Sequence, residues 1–94
     1  MEPGTTDLSV QRLIRFDGGG PVKAYCDLAI GNQFLIKGLR VVEGKRGLFV
    51  SMPRQQTKLG KWFDAVETLT KETRGVVERT VLEAYNQEGE IIAE

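Results

Sequence analysis

The chain has 94 residues and a mass of 10.5 kDa, enough for one small domain and too few for a second core. It is 40% hydrophobic and 28% charged, an ordinary globular balance, and no apolar run approaches the roughly 20 residues of a membrane span. With no histidine and a single cysteine, Cys26, the chain excludes imidazole catalysis, a histidine metal site, a zinc finger and an internal disulfide. No constellation of carboxylates and lysines replaces them. These absences favour a binding protein over an enzyme with a cofactor or small-molecule substrate. Met1 to Asp7 lacks the basic-then-apolar pattern of an export signal, which points to the cytoplasm, where an unpaired thiol is at home.

Thirteen basic residues balance thirteen acidic ones, but unevenly. Residues 1–36 carry three cations against four acids. Residues 37–61 carry seven, Lys37, Arg40, Lys45, Arg46, Arg54, Lys58 and Lys61, against Glu43 alone, a net of +6. Residues 62–94 carry three against eight. A basic middle beside an acidic tail suggests a surface that faces a polyanion. The plainer use of such cations is to solvate hairpin loops and sheet edges.

Leu8 to Phe16 reads as a strand whose Leu13-Ile14 pair breaks the period of two, marking a bulge or twist there. Asp17 to Pro21 is a glycine-rich turn. Its triple glycine lacks the Lys-Ser/Thr and the helix of a phosphate-binding loop. Val22 to Ile30 alternates cleanly, with Val22, Ala24, Cys26, Leu28 and Ile30 on one face and Lys23, Tyr25, Asp27 and Ala29 on the other. Gly31-Asn32 suits a tight hairpin turn, and Phe34 to Val42 returns as a strand with Gly38 a candidate bulge. Glu43 to Gly47 is a second hairpin loop, and Leu48 to Met52 is a short strand stopped by Pro53. Phe49 and Met52 read as core.

Arg54 to Lys61 is polar and reads as a loop, and Trp62 to Val66 as a short fifth strand. From Lys71 to Asn86 the period becomes helical, with Val77, Val81, Ala84 and Tyr85 forming the stripe. Thr70, or Thr73 a turn later, is the N-cap, and Gly89 can terminate the helix. Residues 1–7 and 87–94 are expected to fray. The whole is one α+β domain, an antiparallel meander of four to five strands followed by a C-terminal helix packed on the sheet. One helix covers one face only, so a homodimer is the economical cover for the other.

The runs Gly38-Leu39-Arg40-Val41-Val42-Glu43-Gly44 and Gly47-Leu48-Phe49-Val50-Ser51-Met52-Pro53 resemble the core signature of the SpoVG family of bacterial regulators. Thr57, Gly60-x-Trp62-x-Asp64, Thr73-Arg74-Gly75 and Val81-Leu82-x-x-Tyr85 follow in the family's order, so the resemblance spans about residues 8–86. It implies a small dimeric α+β protein that binds DNA, and in some members RNA, as a regulator of gene expression linked to septation and sporulation. The family's binding is attributed to basic residues around the loop after Met-Pro and the start of the helix. Here those are Arg54, Lys58, Lys61, Lys71 and Arg74, with Arg40 an addition. The chain departs from the family by carrying Gln55-Gln56 where a basic pair is usual, and Val76 where many members have lysine. The shift is from fixed charge toward amide hydrogen bonds, which can read an adenine edge.

Each of these residues also has a plainer use. The loop of Arg54 and Lys58 could be a solvated connector, and Arg74 could pair with Glu78 along the helix. Trp62 and Phe63 suit core or dimer packing, as aromatics usually do in so small a chain, or stacking on unpaired bases. Asp64 reads as structural and Cys26 as buried. A protein–protein adaptor that uses the basic surface or an exposed sheet edge is the competing functional reading.

Overall fold

The computed structural model describes residues 7–16, 18–87, 89 and 91–92. Strands β1 (Leu8–Arg15), β2 (Val22–Ile30), β3 (Phe34–Gly44) and β4 (Gly47–Ser51) form an antiparallel meander, followed by β5 (Arg54–Gln56), β6 (Trp62–Asp64), helix α1 (Lys71–Asn86) and β7 (Ile91–Ile92). The main sheet has the order β4-β3-β2-β1-β7, while β5 and β6 pair only with each other. The fold is α+β, as the periodicities imply.

The turn between β2 and β3 forms as its sequence requires. Gly31 and Asn32 both adopt positive φ, 58° and 56°, and Gln33 N–H donates to the Ile30 carbonyl at 3.0 Å. Such a pair matches the twist of the flanking strands.

The core lies between one face of the sheet and α1. Leu13, Ala24, Cys26, Leu28, Leu39, Val41, Val50 and Met52 meet Val77 and Val81 there, all essentially without solvent contact. Three bulges decide which residues reach it. In β1 the register shifts between Val10 and Arg12, so Gln11 is the extra residue, earlier than the Leu13-Ile14 pair where the sequence suggests the break. The shift lets Val10 and Leu13, three residues apart, face the same core. In β3, Lys37 and Gly38 together oppose Asp27, which brings Ile36 and Leu39 to one face. The third shift, at Lys23, moves Val22 away from the face of Ala24 and Cys26 and pairs it with Val42 on the open side. A simple alternation puts Val22 with the core and cannot see that bulge.

The other face of the sheet is open. It carries Ile14, Tyr25, Arg40 and Ser51 in one cross-strand row, Val22, Val42 and Phe49 in another, and the pair Ala29 and Leu35. Phe16 meets Tyr25 edge to face at 5.7 Å. Phe49 is therefore not core. Val50 and Met52 point inward, so the residue between Leu48 and Val50 must point out, and Phe49 is 41% exposed.

Thr70 is the N-cap of α1, its hydroxyl oxygen accepting from Thr73 N–H at 3.1 Å. The helix closes at Gln87, before Gly89. No basic residue lies in its last turn; Arg15 of β1 supplies the cation instead. Its guanidinium donates to the carbonyls of Tyr85 (2.6 Å), Gln87 and Gly89 (2.9 Å) and lies 4.7 Å over the Tyr85 ring. The tail expected to fray departs from that expectation. Ile91 and Ile92 pair with Leu13 and Arg12, because β1 otherwise presents an unpaired edge beyond the helix end. Residues 1–6, 88, 90, 93 and 94, in the same expectation, lie outside the described residues. Among the described residues no helix is long and apolar enough to cross a membrane.

Candidate nucleic-acid interface

The stretch after Met52-Pro53 is a hairpin and not a loop, because its polar residues alternate against an aromatic return strand. Arg54, Gln55 and Gln56 pair with Asp64, Phe63 and Trp62. The connection is a tight turn, in which Gly60 N–H donates to the Thr57 carbonyl at 3.0 Å and Thr57 N–H to the Lys61 carbonyl at 2.8 Å. The Thr57 hydroxyl oxygen accepts from Lys61 N–H at 3.1 Å, which fixes Lys58 and Leu59 at the tip. Ala65 N–H donates to the Pro53 carbonyl at 2.7 Å and closes the base.

Arg40, on the open face of β3, donates from Nη2 to Ser51 Oγ at 2.9 Å. Arg54 pairs through Nε with Asp64 Oδ1 at 3.4 Å, both side chains about half exposed. Such a pair contributes little to stability but orients the guanidinium. Arg74 reaches from α1 to the Val50 carbonyl at 2.5 Å and to Glu78 Oε2 at 3.3 Å. Since β4 is an edge strand, Arg74 occupies an acceptor on that edge as well as pairing along the helix. It is the most heavily engaged cation of the set.

The hydrogen bonds of Arg40 and Arg74 and the base of the β5–β6 hairpin thus all anchor on residues 50–53, at the exposed end of β4. Lys58 and Lys61 stand at the hairpin tip and Lys71 opens α1; their side chains make no hydrogen bond or ion pair among the described residues. The two glutamines differ. Gln55 is exposed, whereas Gln56 Nε2 donates to the Gly60 carbonyl at 3.1 Å and its amide serves the turn.

Trp62 is not packed away. The residue is 58% exposed and, with Gly38, Arg40 and Arg54, lines a cleft of about 350 Å³ between the hairpin and the open face of β3. Phe63 is also exposed. The sequence marks Arg40, Arg54 and Trp62 separately but not the cleft that joins them, since Gly38 takes part only through the bulge in β3 and Arg40 is held only through the register of Ser51 with β3.

Cys26 lies beneath α1 with 1% exposure. Burial, with the nearby Asp27 charge adding to it, pushes its thiol pKa from 9.0 up to about 12, so it is neither a nucleophile nor a ligand at neutral pH.

Known proteins align with the chain over nearly all of this architecture. "Putative septation protein SpoVG" of Archaeoglobus fulgidus is 38% identical over 82 residues, covering 87% of this chain and 96% of that protein. Proteins of the same name from Geobacillus thermodenitrificans and Bacillus pumilus are 32% identical over 80 residues and 33% over 79, covering 85% and 84% of this chain and 83% and 81% of their own. The SpoVG family model matches residues 5–87, from just before β1 to the end of α1, and the chain belongs to the SpoVG family.

Proposed function

We propose that the protein is a nucleic-acid-binding regulator of gene expression that acts as a homodimer and has no chemistry of its own. Phosphates of DNA or RNA lie against Arg54, Lys58 and Lys61 of the β5–β6 hairpin, with Arg40 and Lys71 flanking them and Gln55 toward a base edge. Arg74 serves mainly to hold α1 against β4. The observation that carries this reading is the common anchorage on residues 50–53, which supports cations from separate stretches acting together. The names of the relatives extend the reading to a role in septation.

The open face supports the dimer. Phe16, Tyr25, Leu35 and Phe49 are exposed together on one side of a 94-residue chain, and a second copy covers such a surface at least cost. Two copies double the cations on one ligand. With about four to six phosphates neutralised per dimer, log K falls with log salt at a slope of about −4 to −5 on duplex DNA. Anisotropy titrations of labelled oligonucleotides between 50 and 300 mM salt test this. Joint replacement of Arg54, Lys58 and Lys61 by alanine weakens binding and flattens the slope while the circular dichroism spectrum stays unchanged. A flat salt response of the native chain, or an unaltered affinity of the triple variant, removes the assignment.

A further inference from the structure

The cleft beside Trp62 deepens that reading, on which it rests, by naming the form of nucleic acid. We infer that it takes an unpaired nucleotide of a single strand, the base stacked on the Trp62 indole and the adjoining phosphates against Arg40 and Arg54. A volume of about 350 Å³ lies at the small end of ligand sites and suits one nucleotide, not a helix groove.

Three features point to this ligand. Trp62, 58% exposed beside two guanidinium groups, offers a stacking surface and counter-charge within one cleft. A duplex hides the faces of its bases, so only an unpaired base can use that surface. Both cations are positioned by neighbours that leave donors over: Arg40 gives Nη2 to Ser51 and Arg54 faces Asp64 through Nε. Their remaining guanidinium N–H groups have no partner among the described residues. Gly38 lines the cleft without a side chain, leaving room for a flat ring. Gln56 gives one of its two amide N–H groups to the Gly60 carbonyl, which ties its side chain to the turn beside the cleft.

Trp62 is the only tryptophan of the chain, so its emission reports on the cleft directly. The native protein is titrated with oligo(dT) and, separately, with an oligo(dA)·oligo(dT) duplex of the same length, with binding followed independently by anisotropy. The single strand quenches Trp62 saturably and the duplex does not. Trp62→Ala weakens oligo(dT) binding about 5- to 150-fold with the salt slope unchanged, and Trp62→Phe restores most of the affinity. Oligo(dT) binding without quenching, an unaffected Trp62→Ala variant, or preference for the duplex overturns the inference and leaves the proposed function standing. So does a blue shift of Trp62 with protein concentration alone, which places a second copy in the cleft. Absence of binding to either nucleic acid at low salt removes the proposed function as well.

Discussion

Replacing Arg15 with alanine isolates the contact that joins the two ends of the fold. Among the described residues the side chain donates to three carbonyls at and beyond the end of α1 and lies over the Tyr85 ring. Only the bond to Tyr85 is partly shielded from solvent; the carbonyls of Gln87 and Gly89 are exposed, and water can replace the lost donors there. The shielded charge-assisted bond contributes about 1–1.5 kcal/mol, the exposed pair a few tenths each, and the cation–π contact about 0.5 kcal/mol. A loss of about 2 kcal/mol follows, or about 8–16 °C in Tm for a chain of this size. Urea and thermal unfolding followed by far-UV circular dichroism measure it, because the exposed Trp62 is a poor reporter of the core. Hydrogen exchange adds a local readout, with the amides of Ile91 and Ile92 losing protection before those of β2. Arg15→Lys keeps the charge near the helix end but loses the fork, and recovers about half of the stability. A loss below about 0.5 kcal/mol, or protection of β7 unchanged in Arg15→Ala, refutes the assigned role of this arginine.

The folded-state thiol of Cys26 lies near 12 and the unfolded thiol near 9.0, so the unfolded chain releases its proton first as pH rises. Stability is intact below pH 9 and declines above it toward pH 12, at no more than about 1.4 kcal/mol per pH unit. In Cys26→Ala this component of the alkaline slope disappears, and an identical slope in both proteins contradicts the burial assigned to the thiol. Leu35, 46% exposed on the open face and about 13 Å along the sheet from Arg40, separates assembly from the cleft. Leu35→Asp yields a folded monomer in sedimentation equilibrium if the open face joins the two copies; a dimer of unchanged affinity rules that face out.

The meander, its tight turns and the whole span of α1 with its Thr70 cap were legible in the chain because local chemistry dictates them. Alternation, Gly-Asn geometry and an N-terminal hydroxyl act within a few residues. What escaped depends on partners far away in sequence. Phe49 looks like core until the register of β4 turns Val50 inward, and Val22 changes face only because Lys23 bulges. Pairing of Ile91-Ile92 with β1 depends on an edge that no local pattern announces. The candidate site divides the same way. Its cations were visible as a basic middle segment, while the engagement of Arg74 with Val50 and Glu78, the commitment of Gln56 to its turn and the exposure of Trp62 are tertiary facts.

Gly38 carries a φ of 89° at the one place where two residues of β3 face a single residue of β2, and Asp27 Oδ1 accepts its N–H at 3.4 Å. That kink aims Ile36 and Leu39 inward, and the same bare Cα borders the recess beside the indole. The interior and the recess consequently share a hinge point and cannot be redesigned independently. A library that varies this position to tune ligand choice would shift the hydrophobic interior by one place, whereas variation at Trp62 or Lys58 leaves the interior untouched.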